Sequence, residues 1–151
     1  MQLAIEEAKK AGQKDEVPIG AVIVAPSGEI LSRAHNQVMS LADPTAHAEI
    51  LALRTAANRT GNYRLLNATL YVTVEPCPMC MGAVVHARAE RLVFGTCDSK
   101  WGAAGSLYNL ATDTRLNHQL EVVSGVCEAT CKKLMQDFFR QRRRYLNIAE
   151  R

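Results

Sequence analysis

The order of hydrophobic and polar positions along the chain predicts an alternation of strands and helices. Runs of β-branched and other apolar residues predict five strands, at residues 17–24, 30–35, 70–74, 91–95 and 122–123. Helical patterns fall at residues 1–12, after residues 43–45, from Cys77 onward and over residues 128–147. Strands that alternate with helices in this way predict an α/β protein, a three-layer α/β/α sandwich around a five-stranded mixed sheet.

The connections between these elements contain no linker-like or repetitive segment. Pro26-Ser27-Gly28 predicts a hairpin turn between the first two strands, and a glycine-rich loop at residues 100–105 leads into a predicted short helix. A chain of 151 residues has the size of one domain. We therefore expect residues 1–151 to form a single domain. The chain begins directly in a helical pattern, which leaves open whether a native N-terminal segment precedes it.

Composition is that of an ordinary globular enzyme in a reducing compartment. Hydrophobic residues make up 48% of the chain and charged residues 22%, and no stretch approaches the length of a membrane span or has the form of a signal peptide. Five cysteines, an odd number, suit the cytoplasm better than a disulfide framework. Cys97, Cys127 and Cys131 are therefore interpreted as small buried hydrophobic residues.

Two short strings carry the chemistry of the chain: His47-Ala48-Glu49 and Pro76-Cys77-Pro78-Met79-Cys80. A structural zinc site usually has four protein ligands, whereas a catalytic site has three and leaves the fourth position to water. His47, Cys77 and Cys80 supply three ligands of suitable softness for one zinc ion. Glu49 is a carboxylate beside the metal that need not be a ligand, and it predicts an acid–base group.

The predicted elements place these residues at the starts of two helices. Asp43-Pro44-Thr45 resembles a capped helix start, so His47 and Glu49 are predicted in the first turn. Cys77 and Cys80 open the next helix, and a spacing of three puts both sulfurs on one face. Amides at a helix N-terminus lower the pKa of a thiol, which favours the metal-binding thiolate.

Two other roles for the cysteine pair were weighed. A thioredoxin-like redox pair would follow the first strand, but this pair follows a later one. A closed zinc ribbon needs a second close pair, and Cys127 and Cys131 have the wrong spacing for it. Catalytic zinc is therefore the favoured interpretation.

Together with the two zinc strings, six further segments resemble the bacterial tRNA adenosine deaminases of the cytidine deaminase superfamily. They cover the chain nearly end to end: residues 16–21, 43–49, 62–65, 102–107, 117–118 and 137–140. Pro78 is a departure, because guanine deaminases commonly carry proline there and the tRNA enzymes more often carry another apolar residue. The resemblance implies a cytidine deaminase-like fold, a homodimer whose sites are completed across the interface, and deamination of adenosine to inosine at the wobble position of an arginine tRNA anticodon.

The residues have defined roles in such a reaction. Zinc activates water near neutral pH, and Glu49 would carry protons to the ring N1 and to the departing amine. By resemblance, Asn36 hydrogen-bonds the target nucleotide, and its amide can both donate and accept. The alternative is a turn residue that ends the second strand. The backbone at Ala48 is expected to form part of the wall of the base pocket. Asp98, Lys100 and Arg64 match positions along the tRNA path.

Positive charge is concentrated in the last helix. Residues 128–151 contain seven Lys or Arg against three Asp or Glu, a net charge of +4 in a chain whose total is +3. Arg142 and Arg143 are predicted to bind phosphates and Phe139 to stack on an unpaired base. Adjacent helical residues point about 100° apart, so only one of the two rings is expected to face RNA. The resemblance implies that this is Phe139 and that Phe138 belongs to the core. The alternative is a solvated helix whose apolar face packs on the sheet.

Two other functions remain open at this point. The departure at Pro78 is compatible with a deaminase that acts on free guanine or cytosine. A zinc-stabilised RNA-binding module without catalysis would bind RNA irrespective of Glu49.

Overall fold

Helices cover both faces of a five-stranded sheet. The structure is a computed structural model that describes the backbone of residues 1–149 and the side chains of residues 1–145. In chain order the elements are α1 (Gln2–Gln13), β1 (Gly20–Val24), β2 (Ile30–His35), α2 (Ala48–Thr60), β3 (Thr69–Val74), α3 (Pro78–His86), β4 (Arg91–Thr96), β5 (Glu121–Val123) and α4 (Glu128–Ala149).

The sheet is mixed, as predicted. Its strand order is β2-β1-β3-β4-β5. β1 pairs antiparallel with both β2 and β3, whereas β3, β4 and β5 run parallel to one another. The parallel strands are joined by crossover connections, and α3 lies between β3 and β4. The carboxyl ends of β3 and β4 therefore meet at one edge of the sheet.

The helices form the outer two layers. α1 packs on β1 and β2 and contacts α4, which packs on β3 and β4. α2 packs on β1 and β2 and contacts α3 on the opposite face. The three-layer α/β/α sandwich is therefore confirmed. None of the described helices is long and apolar enough to cross a membrane.

The first strand begins at Gly20, later than the predicted start at Val17. Pro18 has no N–H to donate to a strand ladder, and the amide of Ile19 donates to the Val17 carbonyl in a local turn. Gly20 lies directly against α1, where a Cβ atom would come within 2.0 Å of the Ala4 carbonyl oxygen. Only glycine fits this position, and it lets α1 approach the sheet closely.

The second helix begins at Ala48, and the predicted start at Asp43–Thr45 is wrong. One carboxylate oxygen of Asp43 accepts hydrogen bonds from the amide and hydroxyl of Thr45, which closes a turn rather than a helix. His47 has extended backbone angles, φ −72° and ψ 152°, and is the N-cap of α2. It therefore precedes the first turn in which it was predicted to lie.

The predicted short helix after the glycine-rich loop is absent from the described residues. Residues 100–109 form turns, with an isolated bridge between Ala104 and Asn109. The amides of Ala104 and Ser106 donate to the Glu75 carboxylate instead of to helical carbonyls. Hydrogen bonds to a residue distant in sequence thus replace the local hydrogen bonds of a helix.

The three cysteines outside the zinc strings differ in burial. Cys131 is buried under β4, where a Cβ atom on Gly95 would come within 2.4 Å of its sulfur. Cys127 is half-buried and Cys97 is exposed. The prediction of a buried hydrophobic role was therefore wrong for Cys97, which follows the end of β4 and faces solvent.

Candidate metal centre and its surroundings

The N-termini of α2 and α3 meet at one cluster of side chains. His47 is the N-cap of α2, Cys77 is the N-cap of α3, and Cys80 lies in the first turn of α3. Pro78 takes the first helical position, where its missing N–H costs no hydrogen bond. Pro78 is thus compatible with the local geometry whatever the substrate.

The three side chains have the spacing of a zinc site. Nδ1 of His47 lies 3.7 Å from the Cys77 sulfur and 3.5 Å from the Cys80 sulfur, and all three ligand atoms lie within 4.8 Å of one another. Tetrahedral bonds from zinc to sulfur and nitrogen place those two atoms about 3.6 Å apart. Among the described residues the cluster contains these three ligands and no fourth. The donor set therefore fits a zinc ion with an open position.

His118 lies in the segment 117–118, which resembles the tRNA adenosine deaminases, but it is not part of this metal-binding cluster. Nε2 of His118 lies 2.6 Å from the carbonyl oxygen of Ala89. This hydrogen bond gives His118 a structural role outside the metal centre.

The pKa values of the two cysteine thiols are shifted in opposite directions. Hydrogen bonds from Cys80 and His47 lower the pKa of the Cys77 thiol to about 4, in spite of its partial burial. The Cys80 thiol has a raised pKa because it donates to Cys77 and is buried. A bound metal ion would deprotonate both thiols.

Glu49 lies in the first turn of α2 and is buried with an unused carboxylate oxygen. Glu49 is 3% exposed, and its Oε2 atom has no hydrogen-bond partner among the described residues. Burial raises the pKa of Glu49 to about 7. A buried polar atom without a partner in a native protein indicates a missing ligand or a functional role.

Asn36 forms part of the same region by holding the start of α2. Its side-chain oxygen accepts a 2.8 Å hydrogen bond from the Ala48 amide, and Asn36 is buried. The sequence interpretation gave Asn36 both donor and acceptor roles toward a nucleotide. Because this oxygen already serves Ala48, the amide nitrogen is the group best placed to bind a ligand. The Ala48 amide is likewise occupied.

Glu75 is a functional candidate that the sequence analysis does not identify. It is 3% exposed and its carboxylate accepts hydrogen bonds from Asp98, Ala104 and Ser106. Burial raises its pKa, but these hydrogen bonds outweigh burial, and the resulting pKa lies below the usual value. An ionisable residue directly after an apolar strand was the available signal.

Asp98 and Lys100 lie on the loop that Glu75 holds. The carboxylate of Asp98 accepts from the amides of Lys100 and Trp101, at 2.9 and 3.2 Å, so it shapes the loop. Lys100 and Trp101 are exposed. The structure therefore places both predicted residues on one loop, with Lys100 free to contact a ligand and Asp98 mainly engaged within the turn.

Arg64 is not brought together with the metal ligands of its own chain. It follows the C-terminal end of α2, whereas His47 lies at the N-terminal end. A helix of 13 residues is about 20 Å long. The guanidinium lies 5.4 Å from the ring centroid of Tyr63, and Arg64 is exposed.

The basic residues of α4 differ in their contacts. Arg142 is half-buried, donates to the carbonyl oxygen of Asp15 and lies 5.3 Å from the ring centroid of Phe138. Arg143 is exposed. Phe139 is 43% exposed and Phe138 is half-buried rather than in the core, and the two rings meet edge to face.

Comparisons with known proteins agree with the geometry of the site. The family model for the cytidine and deoxycytidylate deaminase zinc-binding region matches residues 1–96. A tRNA-specific adenosine deaminase of Bacillus subtilis (strain 168) is 52% identical over 151 residues, which cover 100% of this chain and 93% of that protein.

Solved structures show the same fold. One, from a study of A-to-I editing by tRNA:A34 deaminases at the wobble position of transfer RNA, has a TM-score of 0.85 and 43% identity, and the match covers 89% of this chain and 96% of that chain. Guanine deaminase from Bacillus subtilis has a TM-score of 0.62 and 37% identity over 70% of this chain and 67% of that chain.

The matched region contains both halves of the metal centre. Residues 1–96 include all three ligands and Glu49, so the metal that the cluster holds is zinc. Similarity to the tRNA enzyme extends past that region through α4 to the end of the chain. The chain belongs to the cytidine and deoxycytidylate deaminase family, among the bacterial tRNA-specific adenosine deaminases.

Proposed function

We propose that this protein hydrolytically deaminates adenosine to inosine at the wobble position of a tRNA anticodon, that of an arginine tRNA. The observation that carries the proposal is the buried Glu49 carboxylate, with one oxygen unpaired, beside three zinc ligands and no fourth among the described residues. The full-length similarity to a tRNA-specific adenosine deaminase supports the choice of substrate.

Each residue of the site has a distinct task in this reaction. When bound, zinc supplies Lewis acidity, which makes water nucleophilic near neutral pH. Glu49 accepts a proton from the attacking water at its unpaired Oε2 and delivers it to N1 of adenine. It then takes the proton of the new C6 hydroxyl and passes it to the amine, which leaves as ammonia when the C6–N bond breaks. A carboxyl group whose pKa lies near 7 is suited to both directions of transfer. Asn36 donates from its amide nitrogen to the nucleotide while its oxygen holds Ala48.

We assign the RNA contacts to two exposed surfaces. Lys100 on the loop after β4 and Arg143 on α4 offer positive charge to phosphates. Phe139 offers an exposed ring for stacking on a base. Arg142 contributes to this surface chiefly by docking α4 on the carbonyl of Asp15. Residues 1–151 act as one zinc-dependent domain in the cytoplasm.

We also propose a homodimer with the α2–α3 face as its interface. A shallow groove of about 260 Å³ between these helices is lined mainly by apolar side chains: Ile50, Leu53, Arg54, Ala57, Tyr63, Ala83, His86 and Ala87. Light scattering across a concentration series tests the dimer, and Ile50→Asp, at a half-buried residue that lines the groove, is expected to produce monomers.

The decisive experiment is deamination of a panel of substrates by the purified zinc-loaded protein. We expect inosine to form in an anticodon stem-loop with adenosine at the wobble position, and not in the same stem-loop with that adenosine replaced by guanosine. Turnover of free guanine or cytosine without the stem-loop would favour a free-base deaminase. Tight stem-loop binding that is indifferent to Glu49, without turnover, would favour a binding module.

A further inference from the structure

Four hydrogen-bond donors from one loop converge on the Glu75 carboxylate. Oε1 accepts from the amides of Ala104 and Ser106, both at 3.0 Å. Oε2 accepts from the amide of Asp98 at 3.0 Å and from the Ser106 hydroxyl. The carboxylate thus binds both ends of the 98–106 loop. Glu75 itself lies two positions before the zinc ligand Cys77.

Backbone contacts also hold the end of β4 and the 98–106 loop against residues 75 and 76. The amide of Ala103 donates to the carbonyl of Pro76, and the amide of Glu75 donates to the carbonyl of Thr96, both at 2.9 Å. At Gly102 a Cβ atom would come within 2.4 Å of the Glu75 carboxylate. The loop therefore packs on the residues that lead into Cys77, with no space for a side chain between them.

The outer surface of this loop is free. Trp101 is 64% exposed, and Lys100 beside it is also exposed. Their amides are held by the side chain of Asp98, whose own amide is bound to Glu75. The loop thus combines a fixed inner side with a basic and aromatic outer side.

We propose that Glu75 is a positioning residue, which holds the 98–106 loop beside the Cys77 segment so that Lys100 and Trp101 meet the RNA next to the metal centre. The inference rests on the proposed function, because only a polynucleotide extends from the site onto this loop. A loop that is ordered before binding loses less conformational entropy when RNA arrives. A carboxylate is suited to this task because it accepts several charge-assisted hydrogen bonds at once.

Two substitutions loosen the loop by different amounts. In Glu75→Gln the amide oxygen can take the place of Oε1, and the Ser106 hydroxyl can turn to accept from the new NH₂ group. The Asp98 amide then faces a donor, so that end of the loop is released. Ser106→Ala removes one hydroxyl and leaves the three backbone donors in place. It is the milder variant and is available if Glu75→Gln does not fold.

The loop carries its own reporter, because Trp101 is the only tryptophan in the chain. We expect its fluorescence anisotropy to fall in Glu75→Gln and less in Ser106→Ala. Glu16→Gln is the matched control. Glu16 is 2% exposed and accepts from the amide and hydroxyl of Ser40 on a different loop, so this change is expected to leave the Trp101 signal unaltered.

Kinetics on an anticodon stem-loop separate positioning from support of the metal. In Glu75→Gln we expect KM to rise about tenfold, the loss expected when one charge-assisted hydrogen bond no longer holds the binding geometry. Zinc should remain at one per chain, and kcat should change by less than about threefold. Unchanged KM with lost zinc or a reduced kcat would overturn the proposal and make Glu75 a support for Cys77 alone. Wild-type protein that neither binds nor deaminates the stem-loop would contradict the proposed function, while the anisotropy still decides whether Glu75 fixes the loop.

Discussion

Glu49 and Glu75 are two carboxylates with equally low solvent exposure and different surroundings. Each is 3% exposed and each lies within two positions of a zinc ligand in the sequence. Glu49 has an oxygen without a partner among the described residues, whereas Glu75 accepts from four donors. Burial raises the pKa of Glu49 to about 7, but hydrogen bonds offset burial at Glu75, whose pKa is lowered.

The difference indicates that hydrogen-bond partners, together with the depth of burial, distinguish the proposed proton carrier from a structural anion. A carboxylate with saturated hydrogen bonds stays ionised and cannot exchange a proton easily. A carboxylate that is buried without partners holds its proton weakly enough near neutral pH to pass it on. The two residues should therefore respond to substitution in opposite ways.

The largest expected effect is on catalysis, in Glu49→Gln. Because the amide cannot carry a proton, turnover of the stem-loop is expected to fall at least about a hundredfold, the usual contribution of a positioned acid–base group. Single-turnover deamination together with metal analysis tests this, and zinc should remain at one per chain. Loss of zinc, or a nearly normal rate, would show that Glu49 has another role.

Glu75→Ala sharpens the comparison through stability. Its buried amide partners lose their acceptor, so the free energy of unfolding is expected to fall by about 3 kcal/mol. Urea denaturation of the zinc-loaded protein measures this change. In Glu49→Gln, which removes no hydrogen bond to Oε2, stability should be at least that of the wild type. Equal losses in the two variants would contradict the distinction between the carboxylates.

The two phenylalanines of α4 differ in a similar way, because the ring of Phe138 packs against Arg142 whereas the ring of Phe139 is exposed. Phe139→Ala is expected to weaken stem-loop binding by about 1–3 kcal/mol, the range for loss of one stacked base, and to leave stability nearly unchanged. Phe138→Ala should instead lower stability, because its ring packs against Arg142. Binding titrations and urea denaturation of both variants distinguish the roles. A Phe138→Ala protein that is stable but loses RNA, beside an unstable Phe139→Ala protein, would reverse the assignment.

The smallest effect is expected for single arginines on the same helix. Arg143→Ala should reduce the slope of log affinity against log salt by about 0.7, the value for one lost phosphate contact on a single strand, with little change in kcat. Arg142→Ala should also lower stability, since it removes the hydrogen bond to Asp15. Filter binding at several salt concentrations measures the slope. Unchanged stem-loop affinity in the double variant Arg142→Ala/Arg143→Ala would exclude α4 as an RNA surface.

The zinc ligands were predictable because their signal is local. His47, Cys77 and Cys80 are residue types with few alternative uses at that spacing, and each pair or string lies within one turn of a helix start. The exact start of α2 was not predictable in the same way. Asp43 beside Pro44 is equally typical of a helix cap and of a turn, and the contacts of Asp43 and Thr45 decide for the turn.

The sequence by itself determined the alternation of strands and helices, the zinc chemistry and the carboxylate beside it, because these depend on periodicity and on short spacings. Tertiary structure alone decided the state of each buried group. The partners of Glu75 lie 23 to 31 positions further along the chain, and Arg142 meets Asp15 across 127 positions. Hydrogen bonds between such distant residues exist only once the sheet has brought the segments together. These hydrogen bonds determine that the Glu75 carboxylate holds a loop, whereas Glu49 keeps an oxygen available for the proposed proton transfer.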